Sequence, residues 1–103
     1  MIAKTPKPPY YAVIFTSIKS TKIDGYEEMA NKMLDLVKKQ TGFLGYESAS
    51  DKIGITISYW SDLDSIKNWK QNIDHKEAQI KGKSSWYSNY KTRIVKVEKD
   101  YEF

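Results

Sequence analysis

An α+β fold, one antiparallel sheet with both helices on a single face, is predicted by three features of this 103-residue chain. Stretches that alternate with a period of two are interleaved with stretches of helical period, in the order βαββαβ. Glycine, proline and capping residues mark the joints where the chain must change direction. The chain has room for one hydrophobic core only, so residues 10–103 form a single domain behind an extended lead-in, residues 1–9. The two-layer arrangement that suits this order is the ferredoxin-like plait.

Pro6, Pro8 and Pro9 cannot donate to a ladder and keep the lead-in on the surface. Tyr10 to Ile18 is β-branched or aromatic on both alternating faces, the pattern of a central strand covered on two sides. From Asp24, a helix is predicted by Tyr26, Met29, Ala30, Met33, Leu36 and Val37 at i, i+3 and i+4. Glu27 and Glu28 open it, Lys38 and Lys39 close it in agreement with the dipole, and Gly42 stops it. Phe43 to Ser50 reads as a second strand, and Asp51-Lys52 as a hairpin into a third. In that third strand Ile53, Ile55, Ile57 and Tyr59 alternate with Gly54, Thr56, Ser58 and Trp60.

Ser61 ends the strand, and the capping box Ser61-x-x-Asp64 starts a helix at Asp62 with Leu63, Ile66, Trp69 and Ile73 on its apolar side. The cap pattern recurs at Asp74-His75-Lys76-Glu77. A kink is therefore expected near Asn72 to Asp74, followed by a short helix from His75 to Ile80 that Gly82 ends. Such a restart would let the His75 ring turn inward. After a Ser-rich turn carrying Trp86 and Tyr87, the chain from Tyr90 onward alternates as a terminal strand. The sheet face without helices would still carry Ile, Val and aromatic side chains, so a second copy is expected to cover it as a homodimer.

A net charge of +4 and a pI near 9.2 make nucleic acid or an anionic ligand worth testing, yet the lysines are spread along the chain, as on a solvated surface. The aromatic share of 14%, with eight Tyr and three Trp, exceeds the needs of a small core and points to a ring-lined pocket or interface. The absence of cysteine excludes disulfides and thiol chemistry. MIAKTPKPPYY lacks the apolar core of a secretory signal, and no stretch approaches the ~20 apolar residues of a membrane span, so a cytoplasmic protein with no membrane partner is expected. A lone histidine and scattered carboxylates give no ligand spacing, so no metal is expected; G-x-S-x-G and phosphate loops are absent. The βαββαβ order also builds an RNA-binding module, and Gly42-Phe43-Leu44-Gly45-Tyr46 is similar to its aromatic strand motif. Here that run follows the first helix instead of lying on the third strand, so no nucleic-acid partner is expected.

Phe43-Leu44-Gly45, Ser58-Tyr59-Trp60, Trp69, His75, Ala78-Gln79 and Trp86-Tyr87 together resemble the antibiotic biosynthesis monooxygenase domain family, from about Tyr10 to Phe103. The resemblance implies a dimeric α/β barrel of two plaits, with a pocket in each subunit between helices and sheet. It implies a small cofactor-independent monooxygenase acting on an aromatic or polycyclic substrate with O₂. A heme-degrading branch uses an Asn on the first strand, a Trp on the second helix and a His ten residues later. Trp69 matches, but Gln79 stands at the third position and Thr16 or Ser17 at the first. No cofactor is therefore expected, with heme as the alternative; a non-catalytic ligand-binding dimer is a third reading.

A cofactor-free oxygenase must take a proton from an electron-rich substrate, stabilise the anion and exclude water while O₂ reacts. His75 alone has an unperturbed pKa near neutrality and is the candidate base, although a surface or capping role also fits it. Asn72 or Gln79 can orient a substrate oxygen. Trp69 can be core, pocket wall or both. Tyr87 and Tyr90 carry hydroxyls able to donate to an oxyanion. Arg93, the sole arginine, suits an anionic substrate, a salt bridge or a dimer contact. Glu47 is a buried acid or a solvated one.

Overall fold

The computed structural model describes residues 1–21, 24–79 and 86–103, with the backbone alone for residues 75–79. Six elements follow in order: β1 (Tyr10–Lys19), α1 (Tyr26–Val37), β2 (Phe43–Ser50), β3 (Gly54–Trp60), α2 (Leu63–Gln79) and β4 (Tyr87–Val97). The sheet order is β2-β3-β1-β4 with every neighbouring pair antiparallel, the ferredoxin-like plait the sequence predicts. β1 is central, which explains its apolar character on both faces.

Register assigns the faces, because residues directly opposite one another share a side of the sheet. Tyr11, Val13, Phe15 and Ser17 lie opposite Trp60, Ser58, Thr56 and Gly54. Both helices pack on this side. Val37 of α1, Ile66 of α2 and Trp60 form the core, with Tyr11, Val13, Leu34, Phe43 and Trp69 against it. Trp60 is fully buried, meets Phe43 edge-on at 5.4 Å and lies near-parallel to Trp69 at 6.3 Å. Its indole N–H donates to Ser58 Oγ at 2.9 Å, so burial leaves no donor unpaired.

Several boundaries differ from expectation, each for a local reason. α2 starts at Leu63, and its cap is Asp62 instead of Ser61: Asp62 Oδ1 accepts the Ser65 N–H at 2.7 Å. The helix then runs unbroken to Gln79, with no restart at Asp74, so the inward turn of His75 that a restart would have allowed has no support from the backbone. Lys70 Nζ reaches Asp74 at 3.3 Å across one exposed turn, so that carboxylate pairs along the helix instead of capping a new one. Ile80 and Gly82 lie outside the described residues. Leu63, at the first turn, is exposed and leaves the apolar side to Ile66, Trp69 and Ile73. α1 begins at Tyr26, after Gly25 in the left-handed region, and ends at Val37, so Lys38 and Lys39 stand just past it. Gly42 is not the helix stop; it turns the chain into β2 after Gln40 N–H has bonded Val37 O. β3 starts at Gly54, because the Asp51 N–H closes a tight loop on Ile53 O. β4 starts at Tyr87 and ends at Val97, after which the tail leaves the sheet.

On the second face, Ala12, Ile14 and Thr16 pair with Tyr59, Ile57 and Ile55, and Tyr10 pairs with Val97. Both termini cover one end of it. Ala3 N–H donates to Glu47 Oε2 at 2.9 Å and the Tyr59 hydroxyl to Glu47 Oε1 at 2.6 Å. Thr5 Oγ1 donates to the Tyr10 hydroxyl, which donates in turn to Asp100 Oδ2 at 2.6 Å. These contacts bury Tyr10 and Ala12 where no helix reaches. Farther along the same face Ile18, Ile55 and Val95 are exposed.

The Tyr59 hydroxyl and the Ala3 N–H hold the Glu47 carboxyl below the ordinary range, while burial and the Glu47 contact push Tyr59 up to about 12. A depressed carboxyl pKa contributes stability above the unfolded value of about 4.3 and loses it as pH falls through the folded value. Glu47→Gln is therefore expected to lose less stability than the parent between about pH 4.5 and pH 3. Urea midpoints across that window check this, and parallel slopes would contradict it.

Candidate functional site

A cavity of about 380 Å³ opens on the helix-bearing face where β1 ends, α1 begins and β4 enters. β1 presents Phe15, Ser17 and Lys19 to it at every second residue, as a strand must. Phe15 meets Tyr87 edge-on at 5.4 Å, and Tyr87 meets Tyr26 at 5.8 Å, giving an aromatic wall. The Tyr87 hydroxyl donates to that of Tyr26 at 3.3 Å. Trp86 is buried behind this wall, its ring against Tyr26 at 5.7 Å and its indole N–H on Asp24 O at 3.0 Å. That bond fixes the entry to α1.

Hydroxyls form the floor. Ser48, Ser50 and Thr56 come from β2 and β3, with Ser17 beside them on β1. Ser17 is 6% exposed, and its hydroxyl makes no hydrogen bond among the described residues. Gly54 lies between Ser17 and Ser50; a Cβ there would come within 3.3 Å of Ser17 Oγ, so the missing side chain keeps the floor low. Lys19 Nζ stands 4.5 Å from the Tyr26 ring centroid, a cation–π contact at the rim. Among the described residues Lys19 forms no ion pair; the pairs there are Lys32 with Glu28 and Lys70 with Asp74. The arrangement can hold a flat apolar ring on one side, hydrogen-bond oxygens on the other and offset a negative charge at the edge.

Of the residues singled out from sequence, Tyr87 is part of the wall. Tyr90 is the next ring, 5.6 Å from Phe15, but 65% exposed. Trp69 lies on Trp60 in the core and does not line this cavity. Asn72 is half-buried on α2. His75 and Gln79 belong to the last turns of α2, and their side chains lie outside the described residues. Arg93 pairs with Ile14 and is on the other face, exposed, away from the cavity. Glu47 also lies on that other face. Phe15, Ser17, Lys19 and Tyr26 were not anticipated. The spacing Phe15-x-Ser17-x-Lys19, with Ser48-x-Ser50 and Gly54-x-Thr56, is the period-two signal that could have found the floor.

The sequence profile described as antibiotic biosynthesis monooxygenase matches residues 9–81. The uncharacterized protein YqjZ of Bacillus subtilis (strain 168) is 47% identical over 104 residues, covering 99% of this chain and 91% of YqjZ. Among solved structures, SnoaB from Streptomyces nogalater, a cofactor-independent oxygenase, superposes with a TM-score of 0.70 at 10% identity, over 90% of this chain and 97% of SnoaB. PA3566 from Pseudomonas aeruginosa gives 0.68 at 17% identity, over 93% and 99% of the two chains. These two likenesses concern the fold.

Proposed function

The chain belongs to the antibiotic biosynthesis monooxygenase family, and from that premise we propose that it is a cofactor-independent monooxygenase oxidising an aromatic or polycyclic phenol with O₂. The observation that carries this reading is the cavity itself, a ring-lined wall facing a hydroxyl floor with an ammonium at its rim. His75 takes the phenolic proton. Hydroxyls of the floor and Lys19 stabilise the phenolate oxygen, and negative charge spreads to the para carbon. That carbon bonds O₂ and, once protonated, is a hydroperoxide. Loss of the remaining para hydrogen as a proton breaks the O–O bond, leaving a quinone carbonyl and one water. Asn72, Gln79 and Tyr87 orient the substrate, while the Phe15, Tyr26 and Tyr87 rings exclude water.

Heme finds no comparable support. Trp69 lies on Trp60, Gln79 stands where a ligating His would be needed, and the first-strand position holds Thr16, on the opposite face of the sheet from the cavity, or Ser17, on its floor, in place of an Asn. Two copies pair through the second face, whose exposed Ile18, Ile55 and Val95 give the apolar surface for it. The expected result with 1-naphthol is uptake of one O₂ per 1,4-naphthoquinone formed, by a species sedimenting at twice the chain mass. Uptake no faster than autoxidation, with the protein folded, would end the oxygenase reading, and a monomer would end the pairing.

A further inference from the structure

We propose that the substrate this cavity selects is an aromatic acid of one or two rings, its carboxylate held by Lys19 and Ser17. The inference rests on the cavity being the substrate site proposed above. Three independent observations carry it: size, charge and an unpaired hydroxyl. A cavity of about 150 Å³ holds one benzene ring, so about 380 Å³ has room for two fused rings with small substituents. Lys19, the cation lining it, is steered over the Tyr26 ring at 4.5 Å and has no carboxylate partner among the described residues. A neutral ligand would leave that charge unmatched. Arg93, whose fork is the better shape for a carboxylate, is on the far side of the sheet and cannot take this role.

Ser17 supplies the third point. Ser17 is 6% exposed and lines the cavity, and its hydroxyl, which makes no hydrogen bond among the described residues, is free to donate to a ligand there. A carboxylate oxygen between Ser17 and Lys19 would satisfy both at once. Serines at 48 and 50 and Thr56 then face the phenolic oxygen next to that carboxylate. The ring pair lies against Phe15 and Tyr87. A phenol with an ortho carboxylate and a free para carbon, such as 1-hydroxy-2-naphthoate, has this layout.

Calorimetric titration under nitrogen separates recognition from turnover. The probes are 1-hydroxy-2-naphthoate and 1-naphthol, against the parent protein, Lys19→Gln and Lys19→Arg. The acid is expected to bind the parent at least tenfold more tightly than the naphthol. Lys19→Gln should abolish that preference, Lys19→Arg should keep most of it, and added NaCl should weaken the acid more than the naphthol. Lys19 is exposed, so both variants are expected to fold, with circular dichroism as the check. Equal affinity of the two probes, no binding of the acid, or a preference unchanged in Lys19→Gln would each overturn the assignment. Selective binding of the acid with no O₂ uptake in air would refute the oxygenase reading alone, whereas naphthol turnover without acid preference would refute the Lys19 role alone.

Discussion

Gly42→Ala is expected to destabilise the fold by about 2–5 kcal/mol, a larger loss than any other single change considered for this chain. Gly42 has φ +84, in the left-handed region where a Cβ costs roughly 1–2 kcal/mol. The added carbon would also fall 2.1 Å from Ser65 Oγ, 2.6 Å from Ser65 Cβ and 2.9 Å from Ser61 Oγ. Neither serine is free to retreat. Ser65 is buried in the first turn of α2, its N–H held by Asp62 and its neighbour Ile66 in the core; Ser61 N–H is bonded to Gly42 O at 2.8 Å. Overpacking of this kind adds about 1–3 kcal/mol. At about 4–8 °C per kcal/mol for a domain of this size, the melting temperature should fall by roughly 10 °C or more. Adding Ser65→Gly should recover the steric part and leave the backbone part. A melt of the single variant within a few degrees of the parent would show that the turn is not clamped on α2.

The second large effect is on rate. His75→Ala is expected to lower kcat by about 10²–10⁴ on a phenolic substrate, the usual contribution of a positioned base. The acid limb of the pH–rate profile should disappear with it, because the group whose deprotonation that limb reports is gone. Stability should change little, since α2 passes through position 75 without a break and alanine is a good helix former. Stopped-flow oxygen consumption across pH, alongside a thermal melt, checks both halves. Activity within threefold of the parent would move the base elsewhere, with Tyr87 the first residue to test.

Much of this architecture is legible without coordinates because each element carries its own period. β2 shows both expected ends, since Gly42 and the Asp51 loop bracket it, and β1 announces its central place by being apolar on both faces. The failures arise where two local rules compete. Asp74 can cap a new helix or pair with Lys70 one turn back, and only the second keeps the backbone hydrogen bonds of a helix already under way. Period two groups Ile55, Ile57 and Tyr59, but cannot say which face the helices choose. The structure gives them Trp60, because Val37 and Ile66 close on that ring. The same ambiguity hid the cavity. Phe15, Ser17 and Lys19 become a wall and floor only when α1 enters above them and β4 brings Tyr87 alongside, and neither event is written in β1. Arg93 illustrates the converse: its chemistry suggested an anion site, but its register with Ile14 sets it on the other side.

Thr5 and Asp100 meet on a single phenolic oxygen, that of Tyr10, within 2.9 Å and 2.6 Å of it. Residues 5 and 100, on either side of the whole plait in chain order, are thus held side by side. Circular permutation follows as a practical route: a brief Gly-Ser bridge across that gap, with fresh ends opened in the 51–53 loop, would shuffle the order of synthesis while leaving every sheet neighbour where it is.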